Sequence, residues 1–200
     1  MPHRPNQKAD TRARILRSAR HLFNRRGFAG VTIDEIMANA GLTRGGFYKH
    51  FSTKEQLYAE AIANFMGQDA EIWQREAWQR AHVDATARGP QLTKMIVNAY
   101  LSQDHFDDQD GSCPMIGLSS EAARGAKAVK TAYRQVLERM ACACEANLPL
   151  GKSSARQRAL ALVALCVGGM VLARAIDDAA LATDLREAAR AHVLAASGWG

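Results

Sequence analysis

Eleven of the first 55 residues are Lys or Arg, at positions 4, 8, 12, 14, 17, 20, 25, 26, 44, 49 and 54, against four acids, while the rest of the chain carries 15 basic and 16 acidic residues. A compact cationic end on a near-neutral body is the electrostatic footprint of a module that meets an array of phosphates, joined to something else. Cys113, between Gly111-Ser112 and Pro114, is a candidate redox-sensing thiol, because a helix beginning at Pro114 can lower its pKa and favour the thiolate. This setting predicts more exposure than for Cys142, Cys144 and Cys166, which lie in apolar helices and read as inert core; the alternative is a half-buried turn residue without chemistry. There is no C-x-x-C spacing and no histidine array, and Cys142 and Cys144, two apart on a helix, point to different sides. Neither a metal nor a disulfide framework is expected. Asp104, Asp107, Asp108 and Asp110 can attract a cation but read as a solvated loop. A nucleophile with its base, a Gly-rich phosphate loop and an H-E-x-x-H pattern are all missing, so an enzyme is not expected and no cofactor is implied.

These groups need elements to hold them. Asp10 is placed to cap a first helix whose apolar positions Ile15, Leu16, Ala19, Leu22 and Phe23 form one stripe, ending at Gly27. Arg12, Arg14, Arg17 and Arg20 fall off that stripe and are available for phosphates. Thr32 and Glu35 match a capping box that opens a short second helix, with Ile33, Ile36, Met37 and Ala40 inward and a stop at Gly41. Thr43 caps a third short helix through Phe47 and Tyr48, closing at His50-Phe51. Ser52-Thr53-Lys54-Glu55 reads as a second capping box opening a fourth helix. Two short helices joined by a Gly-containing turn, with Leu42 inside it, form the helix-turn-helix pattern.

Beyond residue 55 the chain reads as helix after helix, broken at Gly89-Pro90, at 107–114, at 147–154 and near Asp177-Asp178. With 200 residues, 48% hydrophobic and 23% charged, it can bury a substantial core. The expected fold is all-α: a three-helix helix-turn-helix domain for DNA binding at 1–55, then a larger helical domain at 56–200 that includes the dimerisation helices. The longest apolar stretch, 159–173, contains Cys166, Gly168 and Gly169 and ends at Arg174, so it reads as a core helix and not a bilayer span. The polar N-terminus lacks a secretory h-region, which points to the cytoplasm. Segments 126–148 and 155–175, rich in small residues, are expected to pair antiparallel and to dimerise as a four-helix bundle, because a helix-turn-helix gains useful affinity from two half-sites.

The run Thr-Ile-Asp-Glu-Ile-Met-Ala-Asn-Ala-Gly-Leu-Thr-Arg-Gly-Gly-Phe-Tyr-Lys-His-Phe-Ser-Thr-Lys-Glu-Gln-Leu at 32–57 closely resembles the DNA-binding signature of TetR-type regulators. The run Gly-Ser-Cys-Pro-Met-Ile-Gly-Leu-Ser-Ser-Glu at 111–121 is similar to a Gly-Cys-Pro-Leu stretch in one branch of that family. By position, the resemblance implies that Arg44 reads a base, for which a guanidinium suits guanine O6 and N7. It also implies that Gly45 and Gly46 let the backbone approach the groove, that Tyr48 and His50 contact phosphate, and that Lys54, Thr32 and Thr43 offer charge or backbone donors at helix starts. Lys49 joins this set, while Phe47 and Phe51 read as core. The resemblance further implies an apolar pocket, for which Phe65, Met66, Trp73, Met95, Tyr100, Phe106 and Met115 are the candidate lining. The function so implied is a homodimeric repressor on a double-stranded operator, released by an unidentified small-molecule inducer. The alternative is a repressor released by electrophile or oxidant modification of Cys113. An arginine in a base-reading place argues against a nonspecific chromosome-binding protein.

Overall fold

The computed structural model describes residues 5–66, 89–149 and 154–198. The first helix, α1 (Pro5–Arg26), starts five residues before Asp10, which therefore does not cap it. Proline suits a first turn, where its missing N–H costs nothing. Ile15, Ala19 and Phe23 bury their side chains at intervals of four along one face, and Gly27, at φ 68°, ends the helix in a left-handed conformation that a Cβ would strain. The second helix, α2 (Ile33–Asn39), buries Ile36 and Met37 and stops at Gly41, φ 66°. Ser18 Oγ donates to the Ile36 carbonyl at 2.8 Å and accepts from Asn39 Nδ2 at 2.9 Å, a buried polar staple between α1 and α2.

The third helix is wound as a 3-10 helix, Arg44–Lys49. Its two glycines each weaken an α-helix by about 1 kcal/mol, and the tighter winding turns Phe47 fully into the core. In α3 (Lys54–Ala63) the cap lies one residue later than the spacing predicts. Thr53 Oγ1 accepts from the Gln56 amide at 3.0 Å, while Gln56 Oε1 accepts from the Ser52 amide at 2.8 Å. Gln56, not Glu55, is the side chain that reaches back. Leu57, Tyr58, Ala61 and Ile62 of α3 are buried and pack against α1. A single 3-10 turn, Asn64–Met66, follows.

The remaining helices are α4 (Gly89–Tyr100), α5 (Gln103–Asp107), α6 (Pro114–Gly117), α7 (Ser119–Arg124), α8 (Lys127–Glu145), α9 (Ala155–Arg174) and α10 (Ala179–Ser197). No strand occurs among the described residues, and the fold is all-α. Gly89-Pro90 opens α4 and so is a helix start, as proline in a first turn allows. The chain forms two compact units. One contains residues 5–66 and 109–136, the other the described residues of 89–108 and 137–198. The domain boundary expected at 55/56 falls inside the first turn of α3, and the unit that holds the helix-turn-helix recruits a later stretch of chain.

In the second unit, α9 packs chiefly against α10; the pairing expected between 126–148 and 155–175 is not its main contact. A Cβ at Gly169 would stand 2.9 Å from Ala189 Cβ, so small residues bring α9 and α10 close. Two arginines secure the α4–α5 connection to this pair. Arg186 of α10 is buried, donates to Leu101 O at 3.3 Å and Gln103 Oε1 at 2.5 Å, and lies 4.6 Å over the Phe106 ring. Arg174 of α9 donates to His105 O at 2.5 Å. By length and composition alone α9 is apolar enough to cross a membrane, and its helix runs through Gly168 and Gly169 without a break.

Candidate nucleic-acid interface

The base of the interface is the start of α2. Thr32 stands extended at φ −100°, ψ 158°. Its Oγ1 accepts from the Glu35 amide at 3.2 Å, and its own amide donates to Glu35 Oε2 at 2.8 Å. The reciprocal capping box is complete, and Thr32→Ala is expected to cost about 0.5–2 kcal/mol, to be read by chemical denaturation. Arg26, closing α1, adds an ion pair to Glu35 at 2.8 Å. The Arg26 hydrogen bond first, and those from Thr32 next, hold the Glu35 carboxyl down from 4.5 to about 2. A depressed carboxylate contributes stability that is fully present above its unfolded value and fades as pH falls from there through the folded one. The α2 start should therefore loosen on acidification from about pH 4.5 to about 2, and Arg26→Ala should shift the Glu35 titration, followed by carboxyl NMR, back toward 4.5. An unmoved titration would remove Arg26 from that role.

Arg44 opens the 3-10 helix behind an extended Thr43 that makes no side-chain cap. Its side chain is 63% exposed, and Nη1 donates to Asp34 Oδ2 of α2 at 2.5 Å. A Cβ on Gly45 would meet nothing within 4 Å, and one on Gly46 would make an ordinary 3.5 Å contact with Met37. Neither glycine has a positive φ, so the fold itself does not demand them, and Gly45 leaves bare backbone on an open surface. Tyr48 is 61% exposed, its ring edge-on to Phe47 at 5.2 Å, and Lys49 is exposed. Phe47 and Phe51 are core residues. His50 sits half-buried at the end of the 3-10 helix. Burial, then the charges of Lys8, Arg12 and Lys49, lower its pKa. A phosphate beside it would reverse that direction, so DNA binding through His50 should take up a proton and tighten as pH falls toward the imidazole's range.

Three cations expected to be free are engaged. Lys54 Nζ donates to Phe28 O at 2.5 Å and lies 4.2 Å over the Phe28 ring, and burial lowers its pKa despite the nearby Glu55, Glu121 and Glu35 carboxylates. Arg12 pairs with Glu60 and covers the Phe51 ring at 4.5 Å. Arg14 donates to Ala40 O at 2.6 Å. These partners lie 26 to 48 residues away and leave no local signature. Arg14, Arg17, Ser18, His21, Asn39, Ala40 and Gly41 line an open basic concavity of about 410 Å³.

The other candidate residues are scattered. Trp73 lies outside the described residues, as does the side chain of Met66. Phe65 and Met115 are buried in the first unit, whereas Met95, Tyr100 and Phe106 are half-buried in the second. A second concavity in the first unit, about 450 Å³ between α3 and α8 and lined by Ala59, Ala63, Ala128 and Ala132, uses none of them. Cys113 has 0% exposure, overturning the expectation of an accessible thiol. It lies at the start of α6 among residues 111–116, all of them buried. The exposed cysteine is Cys142, while burial pushes the Cys144 thiol up to about 11 and Cys166 to about 12. A thiol reagent should reach Cys142 before Cys113, and mass spectrometry of partly labelled native protein would show the reverse order if Cys113 were poised to react. Among the acidic residues, Asp107 accepts from Gln103 and Asp110 pairs with Arg25. Among the described residues no three His, Cys, Asp or Glu side chains gather as a metal site.

Residues 15–61 match the family model of bacterial regulatory proteins, tetR family. The HTH-type transcriptional repressor KstR2 of Mycolicibacterium smegmatis is 29% identical over 104 residues, 52% of this chain and 48% of that protein. The uncharacterized HTH-type transcriptional regulator YdgC of Bacillus subtilis is 28% identical over 131 residues, 64% and 65% of the two chains. The matches thus span less than two thirds of these relatives' length. The crystal structure of a TetR transcriptional regulator from Chloroflexus aurantiacus is similar over 95% of both chains, with a TM-score of 0.70 and 23% identity. The reduced form of Escherichia coli NemR is similar over 92% of this chain and 95% of that one, with a TM-score of 0.67 and 23% identity. At such identity these structures establish the fold.

Proposed function

We propose that the chain, whose residues 15–61 match the model of the tetR family of bacterial regulatory proteins, is a member of that family and a cytoplasmic, sequence-specific DNA-binding regulator, a homodimeric repressor that a small molecule releases from its operator. The observation that carries this reading is the surface formed by Arg44, Gly45 and Tyr48, where an exposed guanidinium, bare backbone and an exposed phenol share one short helix. A guanidinium offers the fork that guanine accepts in the major groove, and a phenol suits a phosphate oxygen. The 3-10 winding and the two glycines leave this helix to be ordered further on DNA.

The outward side of α9 supports the dimer. Leu160, Ala164, Gly168 and Leu172 recur every four residues, Leu160 and Leu172 are exposed, and a Cβ at Gly168 would meet nothing within 4 Å. Such an i, i+4 ridge is what a symmetry-related helix can pack against. The inducer stays unnamed, with Met95, Tyr100 and Phe106 in the second unit as its proposed contacts. The test is selection from randomised duplex DNA by the full chain, followed by titration against salt. Enrichment of a two-fold symmetric site is expected, with Tyr48→Phe weakening selected and random DNA equally because phosphate contacts position without specifying. Failure of the wild type to enrich any sequence would refute the reading.

A further inference from the structure

The turn that leads into the helix-turn-helix is completed by a residue far outside the DNA-binding motif. The Gly27 amide still closes on Phe23 O at 2.8 Å, but the Phe28 N–H has left α1 and lies half-buried, where an unmet amide is costly. Its acceptor is Glu121 of α7, whose two carboxylate oxygens lie 3.0 and 2.9 Å away. The Tyr58 hydroxyl donates to the same carboxylate at 3.0 Å. A Cβ at residue 27 would collide with Glu121 Oε1. The positive φ favours glycine there, and a side chain at that position would push the Glu121 carboxylate off its place.

We infer that Glu121 is a positioning residue for DNA binding, fastening the Gly27-Phe28 turn so that α2 and the Arg44 segment are held in the DNA-competent geometry. The inference rests on the DNA-binding reading above. The route from carboxylate to reading surface is short. The Phe28 carbonyl holds Lys54, and the Phe28 ring lies 5.0 Å from Tyr58 of α3. Arg26, two residues before Phe28, pairs with Glu35 of the α2 capping box. The later stretch of chain is fastened to α1 a second time, by Asn24 Nδ2 donating to Asp110 O at 3.1 Å and Ser112 O at 2.8 Å, with Arg25 paired to Asp110. Residues 110–121 thus hold the end of α1 at one point and the turn after it at another. By linkage, whatever displaces this stretch lowers DNA affinity, and DNA favours the fastened state to the same extent.

The experiment compares full-length wild type, Glu121→Ala and Glu121→Gln on the site selected by the wild type. For Glu121→Ala the expected result is about a tenfold loss of affinity with unchanged base preference, and faster hydrogen exchange at the Phe28 amide. Helix content and sedimentation should match the wild type. Glutamine keeps one acceptor and should restore part of the affinity. Operator should slow Phe28 exchange in the wild type and fail to do so in Glu121→Ala. Should Glu121→Ala not fold, Glu121→Gln decides: weakened binding by a folded dimer supports the role. Wild-type affinity in a folded Glu121→Ala or, failing that, Glu121→Gln overturns it, as does a loss of thermal stability with no change in affinity of the folded fraction. A wild type that selects no sequence brings down the DNA-binding reading itself and this inference with it.

Discussion

Arg44→Ala is expected to flatten one base position in each half-site and to weaken binding to the preferred operator by roughly 1–3 kcal/mol per half-site. The size follows from the guanidinium of Arg44, whose fork of donors fits guanine O6 and N7. It is exposed, and one of its nitrogens is held by Asp34 across from α2, which leaves the rest of the fork aimed and free. Lysine offers a point charge without the fork and should not rescue the preference. Asp34 makes the expectation sharper, because its carboxylate both steadies Arg44 and repels phosphate. Asp34→Asn should therefore raise affinity for random DNA while narrowing the gap between operator and random sequence, two changes of opposite sign measured in one titration. An unaltered sequence preference in Arg44→Ala would strike that residue from base reading, and a uniform rise in affinity with Asp34→Asn would mean the ion pair contributes nothing to selection.

The second large effect separates two adjacent glycines. Gly169 faces α10, where a Cβ would stand 2.9 Å from Ala189 Cβ and 3.6 Å from Leu101 Cδ2. Leucine there overpacks a helix pair at its closest approach and should cost roughly 1–3 kcal/mol or more, enough to unfold a marginal domain. Gly168 looks outward into open space, so Gly168→Ala should stabilise the chain by about 1 kcal/mol through helix propensity. Gly168→Leu should leave it folded yet block the close approach of a second copy. Thermal unfolding and sedimentation read these outcomes separately. A Gly168→Leu protein that sediments as the wild-type dimer would show that the Leu160–Leu172 ridge is not the interface, and a stable, wild-type-like Gly169→Leu would contradict the packing of α9 on α10.

What the sequence by itself determined is what short-range periodicity and local stereochemistry control. The stripe of Ile15, Ala19 and Phe23, the Thr32–Glu35 box, the stops at Gly27 and Gly41 and the inward Phe47 and Phe51 are each set by residues within a few positions of one another, so spacing alone exposes them. The all-helical class was legible for the same reason, whereas the base-reading role proposed for Arg44 came from the resemblance of residues 32–57 to a known signature. Only the tertiary structure decided which cations are engaged, since Lys54, Arg12 and Arg14 find their partners at Phe28, Glu60 and Ala40. It also decided that Cys113 is sealed in the core, that α9 takes α10 as its neighbour, and that Glu121, 93 residues from Phe28, completes the head. Such contacts depend on which faces the folded chain brings together, and no period or motif in the sequence encodes the distance across that fold.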